Sequence, residues 1–372
     1  MRFILARDDL LKPVQIVNGI VERRQALPIL ANTLLVLKDG VLSLTTTDME
    51  VELTAQTTIE DGADGEITVP ARKFIDICRS LPSGSNVEFS VEADRGLVRC
   101  GRSRFTLATL PAADYPIGDP IADVRRLRVP QGELKRLIEL TQFAMAQQDV
   151  RYYLNGMLLE LFHDRLRAVA TDGHRLATAE ISLSEVVDLD EETSVQIIVP
   201  RKGILELGRL LEAGEEPVDL TFNSGALRAT VANVLFTTKL VDGRFPDYQR
   251  VIPAHCGSEK HVAADRETVR QSLARTSILS NEKYRAIKLD LRPNVLHIVA
   301  SNPEQEEAED EVEVEFEGEP LAIGFNVSYL IEALANVPTE RVSIYLTDAG
   351  SSCLIEPEGR DDCQYVVMPM RL

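Results

Sequence analysis

No apolar run in this 372-residue chain approaches the roughly 18 residues that a membrane-spanning helix requires. Charge breaks the N-terminal stretch Met1-Arg2-Phe3-Ile4-Leu5-Ala6-Arg7 too early for a secretory signal. The expectation is a cytoplasmic protein with no membrane partner. Cysteines are few. Cys78, Cys100, Cys256, Cys353 and Cys363 are scattered without CxxC or zinc spacing, which reads as buried or incidental thiols in a reducing compartment. Bases are in deficit, with 40 Lys and Arg against 59 Asp and Glu and a net charge of −19. That balance excludes a uniformly basic nucleic-acid binder. HExxH, Walker A and GxGxxG are all missing, so no metal, nucleotide or other cofactor is expected.

What is present is ample core material, 44% hydrophobic residues against 27% charged, and an internal repeat. The turn Thr171-Asp172-Gly173-His174-Arg175-Leu176 follows the alternating run Arg165 to Val169. Thr46-Thr47-Asp48-Met49-Glu50 follows Val41 to Leu44, and Ala300-Ser301-Asn302-Pro303-Glu304 follows Leu296 to Val299. The separations are 124 and 130 residues, close to a third of the chain. Thr and Asp side chains bond nearby backbone and Gly supplies positive φ, so each reads as a tight turn. A hydrolase reading would rest on Asp172 and His174. No serine, cysteine or metal cluster accompanies them in an activating motif, and a non-catalytic chain is expected.

Helical stripes recur on the same period. Asp8-Asp9 is an N-cap signal before Leu10, Val14 and Val17; Leu134, Leu137, Ile138 and Thr141 follow Gln131-Gly132-Glu133; Val269, Leu273 and Thr276 follow Asp265. A second helix carries Phe74, Ile77, Cys78 and Leu81 in the first third. Its counterparts are Ile204, Leu207, Gly208 and Leu211, then Val327, Leu330, Ile331 and Leu334. Lys or Arg stands beside five of these six stripes; the sixth, Val327 to Leu334, carries Glu332 instead. The pattern is helix, strands, helix, strands, three times over: an α+β fold of three tandem similar domains, 1–122, 123–254 and 255–372.

Longer motifs narrow this further. Gln148-Asp149-Val150-Arg151-Tyr152-Tyr153-Leu154-Asn155-Gly156-Met157, the turn at Thr171, Val241-Asp242-Gly243-Arg244-Phe245-Pro246-Asp247-Tyr248, Asn302 to Glu309 and the terminal Tyr365-Val366-Val367-Met368-Pro369-Met370-Arg371-Leu372 all match one family. From end to end the chain resembles the bacterial sliding clamps, the beta subunits of DNA polymerase III. The resemblance implies DNA-clamp domains with two inner helices and outer antiparallel sheets, closing as a head-to-tail homodimer ring around duplex DNA. It implies a processivity factor in DNA replication, not an enzyme. Ring arithmetic agrees. A domain of this size is roughly 35 Å across, and six in a circle leave a hole of about the same width. Duplex DNA is about 20 Å across, its grooves being ~16 Å of that.

The family's site positions fall here on named residues. Arg24, Arg72, Gln148, Arg151, Tyr152, Tyr153 and Lys202 match DNA-contacting positions. A peptide-binding pocket falls on Leu154, Thr171, Gly173, His174, Arg175, Leu176, Pro246, Arg250 and Val251. Tyr284, Asn326, Tyr329, Ser352, Val366, Val367, Met368, Pro369, Met370, Arg371 and Leu372 complete it. Tyr284 stands where the family has Phe, and Gly350 where it has Val. The dimer interface falls on Lys73, Arg102, Arg104, Phe105, Ile278, Leu279, Glu304, Glu306 and Glu307, within an acidic stretch, Glu304 to Glu319, of ten acids and no bases. Implied partners are double-stranded DNA without sequence preference, a second copy of the chain, the polymerase catalytic subunit and an ATP-driven clamp loader. Translesion polymerases and mismatch-repair, ligase and initiation-regulator proteins would share the pocket through short clamp-binding peptides. A scaffold of the same fold in transcription or recombination is the other non-enzymatic reading.

Overall fold

The computed structural model describes residues 1–22, 27–118, 121–122, 124–190, 193–254 and 260–371. Among them are six α-helices: α1 (Arg7–Val17), α2 (Ala71–Ser80), α3 (Gln131–Thr141), α4 (Arg201–Leu210), α5 (Arg266–Thr276) and α6 (Val327–Asn336). Each begins on the residue after a strand ends. At three junctions the last strand residue is proline, Pro70, Pro130 and Pro200. Its fixed φ suits the residue before a first helical turn, and its missing N–H leaves no donor unpaired there. At α5 and α6 a side-chain cap takes over: Asp265 accepts from the Thr268 amide and Asn326 from the Ser328 amide.

The helix at the N-terminus departs from the sequence reading. Asp8-Asp9 is not its cap; α1 starts at Arg7 with no side-chain cap at all. The Asp8 carboxylate instead accepts from Arg7 Nη1 at 2.8 Å, Ser83 Oγ at 2.9 Å and the Gly84 amide at 3.0 Å. Those bonds, Arg7's first, hold its carboxyl down at about 2. The α2 stripe also turns: Ala71, Phe74, Ile75 and Cys78 are buried, and Ile77 is only half-buried. In α6 Ala333 is buried and Ile331 half-buried. A strip read by spacing alone cannot say which flank of a three-residue step meets the sheet.

The described chain forms two compact units. Unit 1 comprises Met1–Glu133 and Lys202–Leu240. Its five-stranded antiparallel sheet runs Gly62–Ala63, Arg2–Ala6, Asn86–Glu92, Arg95–Cys100, Ser103–Ala108. Phe3 stacks on Phe89 with ring centroids 5.2 Å apart, and Phe74 of α2 meets Phe89 edge-on. An eight-stranded sheet runs Arg125–Pro130, Pro217–Phe222, Ala226–Val231, Val234–Lys239, Val51–Thr58, Val41–Thr47, Asn32–Lys38, Gly65–Pro70.

Unit 2 comprises Leu134–Arg201 and Val241–Leu372. Its eight-stranded sheet runs Val195–Pro200, Gly156–Leu161, Arg165–Thr171, Arg175–Ser182, Cys363–Val367, Cys353–Pro357, Arg341–Leu346, Lys260–Asp265. A four-stranded sheet runs Glu307–Glu313, Val295–Ser301, Ala286–Arg292, Leu321–Asn326. The units do not follow the sequence thirds because the sheets do not. Val51–Thr58 pairs with Val234–Lys239, and Arg175–Ser182 with Cys363–Val367, so each large sheet joins strands from two thirds.

Candidate functional site

The turn after Arg165–Thr171 is built by its own side chains. Thr171 Oγ1 donates to Arg175 O at 2.6 Å and accepts from the Gly173 amide at 3.1 Å. The His174 and Arg175 amides donate to Asp172 Oδ1 at 2.9 and 3.0 Å. Gly173 sits at φ +87°, and a Cβ there would come within 2.9 Å of the Arg151 guanidinium. Glycine suits the positive φ and leaves the Arg151 guanidinium its place; a side chain here would displace it. The C-terminal strand then pairs in register, Leu176 opposite Val366. Beyond it the Met368 amide donates to His174 O at 2.9 Å and the Met370 amide to Gly324 O at 2.8 Å.

Between this turn, the tail and the 3-10 turn Tyr248–Val251 lies a cavity of about 190 Å³. Leu154, Leu176, Pro246, Val251, Val366 and Met368 give it an apolar lining; Thr171, Gly173 and Arg175 also border it. The volume is below the ~300–1,000 Å³ of small-molecule sites and suits one or two apolar side chains of a docked segment. Arg151, Asp247 and Tyr248 line it as well. Sequence reasoning missed Asp247 and Tyr248, and it placed Arg151 only among DNA contacts. The Phe-Pro-Asp-Tyr motif was the available signal for the first two.

Tyr248 is held from beneath by a polar network. Its hydroxyl donates to Glu160 Oε2 at 2.6 Å and accepts from Arg167 Nη1 at 3.0 Å. Glu160, 4% exposed, also accepts from Ser194 Oγ and Gln196 Nε2 at 2.9 and 2.7 Å. Burial raises the Tyr248 phenol's pKa, and the bond to Glu160 adds to it. Glu160→Ala is expected to cost about 3 kcal/mol, because Arg167 loses a partner in a half-buried setting and three donors lose their acceptor. An unchanged thermal midpoint would show the network to be ornamental.

Arg175 anchors the rim. It pairs with Asp172 at 3.2 Å and Glu332 at 2.7 Å, donates to Phe143 O at 2.7 Å, and lies 4.8 Å over the Tyr329 ring. His174 stacks on the same ring at 6.2 Å. The Asp172 carboxylate is thus engaged by the turn and by Arg175. Tyr329 and His174 form a rim outside the cavity, and Arg250, paired with Asp247 at 2.6 Å, is not among its lining residues. Asn326 caps α6 and donates to Tyr284 O at 3.3 Å, while Val367 is buried within the sheet. Ser352, Pro369, Met370, Arg371 and the exposed Tyr284 also lie outside the lining. Leu372 falls outside the described residues. Gly350 belongs to a turn in which its amide donates to Asp348 Oδ1 at 2.7 Å.

The DNA-contact candidates divide between the units. Gln148, Arg151, Tyr152 and Tyr153 share one loop of unit 2, stiffened by Asn155, which bonds the Asp149 amide at 2.9 Å and carbonyl at 2.8 Å. Gln148 takes φ 56°, and Tyr152 is 57% exposed with its ring against Tyr153. Arg151 is bound by Asp149 at 2.8 Å and by the Asp172 carbonyl at 3.1 Å. Arg72 of unit 1 is exposed, its guanidinium 3.4 Å from Val21 O. Lys202 is held by Glu22 and Asp48. Arg24 lies outside the described residues.

Six of the nine interface candidates lie on or beside open sheet edges. Ser103–Ala108 is the outer strand of the five-stranded sheet, with Arg102 and Arg104 exposed, Phe105 half-buried, and Lys73 exposed on α2. Glu307–Glu313 is the outer strand of the four-stranded sheet, with Glu304 and Glu306 exposed just before it. In the 3-10 turn Ser277–Leu279 that follows α5, Ile278 is 76% exposed and Leu279 half-buried.

Three family models cover nearly the whole chain: the N-terminal domain of the DNA polymerase III beta subunit at residues 1–119, its central domain at 128–247 and its C-terminal domain at 249–371. The chain is 53% identical to the beta sliding clamp of Pseudomonas putida over 373 residues, covering 100% of both. It is similar to the crystal structure of the Pseudomonas aeruginosa DNA polymerase III subunit beta, with TM-score 0.96 and 53% identity over 100% of each chain. It is similar too to a Pseudomonas aeruginosa sliding clamp solved bound to griselimycin, with TM-score 0.95 and 52% identity over 100% of each.

Proposed function

This chain belongs to the DNA polymerase III beta-subunit family of sliding clamps, and we infer from that membership how its edges and its pocket are used. It is three tandem clamp domains in the service of the replicative polymerase. The domain limits proposed are 1–122, 123–254 and 255–372. Two copies close head to tail into a ring around duplex DNA, acting in the cytoplasm and catalysing nothing themselves.

The observation that carries this reading is the pair of unlike open edges. Ser103–Ala108 and the turn before it expose Arg104 and Arg102, whereas Glu307–Glu313 and the turn before it expose carboxylates. A basic edge cannot pair with its own copy without like-charge repulsion, so the favoured contact is heterologous, and such contacts close into rings. Within the ring, Arg72, Gln148, Tyr152 and Tyr153 meet phosphates loosely, since base-specific grip would stop sliding. Arg24 belongs to the same set. Lys202 would have to exchange Glu22 and Asp48 for phosphate, which makes it a conditional contact.

The unit 2 cavity takes the apolar side chains of short extended peptides carried by the polymerase, the clamp loader, translesion polymerases and repair, ligase and initiation-control proteins. Met at its mouth adapts to differing ligands. Retention after loading tests the whole reading. The protein is expected to persist on a closed circle and to leave once the circle is linearised; equal loss from both would refute topological tethering. Arg72→Ala with Gln148→Ala should shorten retention at unchanged dimer mass, and should lower the salt dependence of direct binding by about one charge.

A further inference from the structure

Unit 1 repeats the turn bond for bond. Thr47 Oγ1 donates to Val51 O at 2.9 Å and accepts from the Met49 amide at 3.0 Å, and the Glu50 and Val51 amides donate to Asp48 Oδ1 at 2.9 and 2.7 Å. The neighbouring strand repeats too: the Lys239 amide donates to Glu50 O at 2.9 Å, as the Met368 amide does to His174 O. Pro116, Ile117, Gly118 and Ile121 supply the third wall. They stand 130 residues before Pro246, Asp247, Tyr248 and Val251, which wall the unit 2 cavity. Together these elements enclose a groove of about 380 Å³.

Its chemistry differs where the two copies differ. Met49 replaces Gly173 and is held at φ 76°, a region side-chain-bearing residues rarely occupy, with 47% of its surface exposed. Ile117, on the third wall, is 60% exposed. On the sheet face below, Arg228 stands across from Thr237, and Lys239 across from Ala226. Val366 and Met368 of the other cavity are thus replaced by Thr237 and Lys239. Two acids share the lining: Glu52, which accepts from the Gly118 amide at 3.0 Å and so ties down the third wall, and Glu50, which lies next to Met49 in the turn.

We propose that this groove is a second docking site for an extended peptide, one whose apolar side chain seats between Met49 and Ile117 and whose carboxylate side chain faces Lys239 and Arg228. The mode of docking rests on the reading of the unit 2 cavity as a peptide pocket; the acidic preference rests on the groove alone. With Arg228 and Lys239 in place of an apolar wall, and Glu50 and Glu52 on the same lining, binding is weaker than in unit 2 and sensitive to salt.

The chain holds six methionines, Met49 in this groove and Met368 in the other, so one methyl-labelled sample reports both. Full-length protein carrying [methyl-13C]methionine is titrated at low salt with acetyl-Ser-Asp-Leu-Phe-Gly-amide and, separately, with a Gln-Leu clamp-binding peptide. The Met49 methyl is expected to shift saturably with the acidic peptide, and Lys239→Glu to weaken that binding about tenfold while its Met368 response to the Gln-Leu peptide is kept. A Met49 methyl unmoved up to about 5 mM, with Met368 responding to the Gln-Leu peptide, overturns the groove and leaves the pocket standing. A moving Met49 with a silent Met368 fells the pocket reading instead. Silence at both overturns both, and an unchanged affinity in Lys239→Glu overturns the acidic partner.

Discussion

A chain ending at Val367 is expected to lose capture of clamp-binding peptides while keeping its dimer mass. The strand Cys363–Val367 stays paired to Arg175–Ser182 in that variant, so the sheet is intact. What goes is the Met368 wall, its amide bond to His174 O, and the Met370 bond to Gly324 O. A peptide burying ~300 Å² of apolar surface gains roughly 7 kcal/mol before ordering costs. Met368 is 42% exposed in the free chain, so losing the surface it would bury against a peptide withdraws about 2 kcal/mol of that, or roughly 30-fold in affinity. Anisotropy of a labelled Gln-Leu peptide against both proteins measures the change, with light scattering confirming the dimer. Equal affinities would make the tail a mere strand end and put the pocket elsewhere.

The turn that frames this pocket was legible because its causes are local. Thr, Asp and Gly within a few residues determine their own hydrogen bonds, and the recurrence of Thr47-Asp48 and Thr171-Asp172 is visible without a fold. Helical stripes were legible for the same reason, and the capping reading held at Asp265. It failed at Asp8, where the carboxylate found a better set of donors in Arg7, Ser83 and Gly84. Ser83 and Gly84 are 75 and 76 residues distant, and no local rule sees them.

Long-range pairing explains the other gaps. Nothing near Tyr248 announces Glu160, 88 residues earlier, as its acceptor. Lys202 reads as a free cation beside an apolar stripe until Glu22 and Asp48 are brought to it by the fold. Arg151 reads as a member of a loop facing DNA, yet Gly173 leaves it room to cross into the pocket wall. Most of the pocket lining was named from the family resemblance. The two large sheets, each stitched from strands of two sequence thirds, were not foreseen, since register between distant strands follows from burial and not from spacing.

Replacing Ile278 and Leu279 together by alanine is expected to turn the ring into monomers. Ile278 gives 76% of its surface to solvent in the single chain, so its truncation removes little from the protomer's own core. The turn that presents it is kept by backbone and serine groups: the Ser280 amide and Oγ both bond Ser277 O, at 3.1 and 2.7 Å. A loss of dimer would therefore report the interface and not unfolding, which an unchanged thermal midpoint of the monomer checks. Each truncation of a buried interface anchor costs about 2 kcal/mol, together roughly a thousandfold in dimer affinity. Arg104→Glu, by contrast, sits among exposed charges. It should slow association and change its salt dependence while weakening the dimer by less. Sedimentation at micromolar protein separates the two variants. A stable dimer of the Ile278 and Leu279 double variant would remove the apolar centre from this interface and leave the charged edges as its sole support.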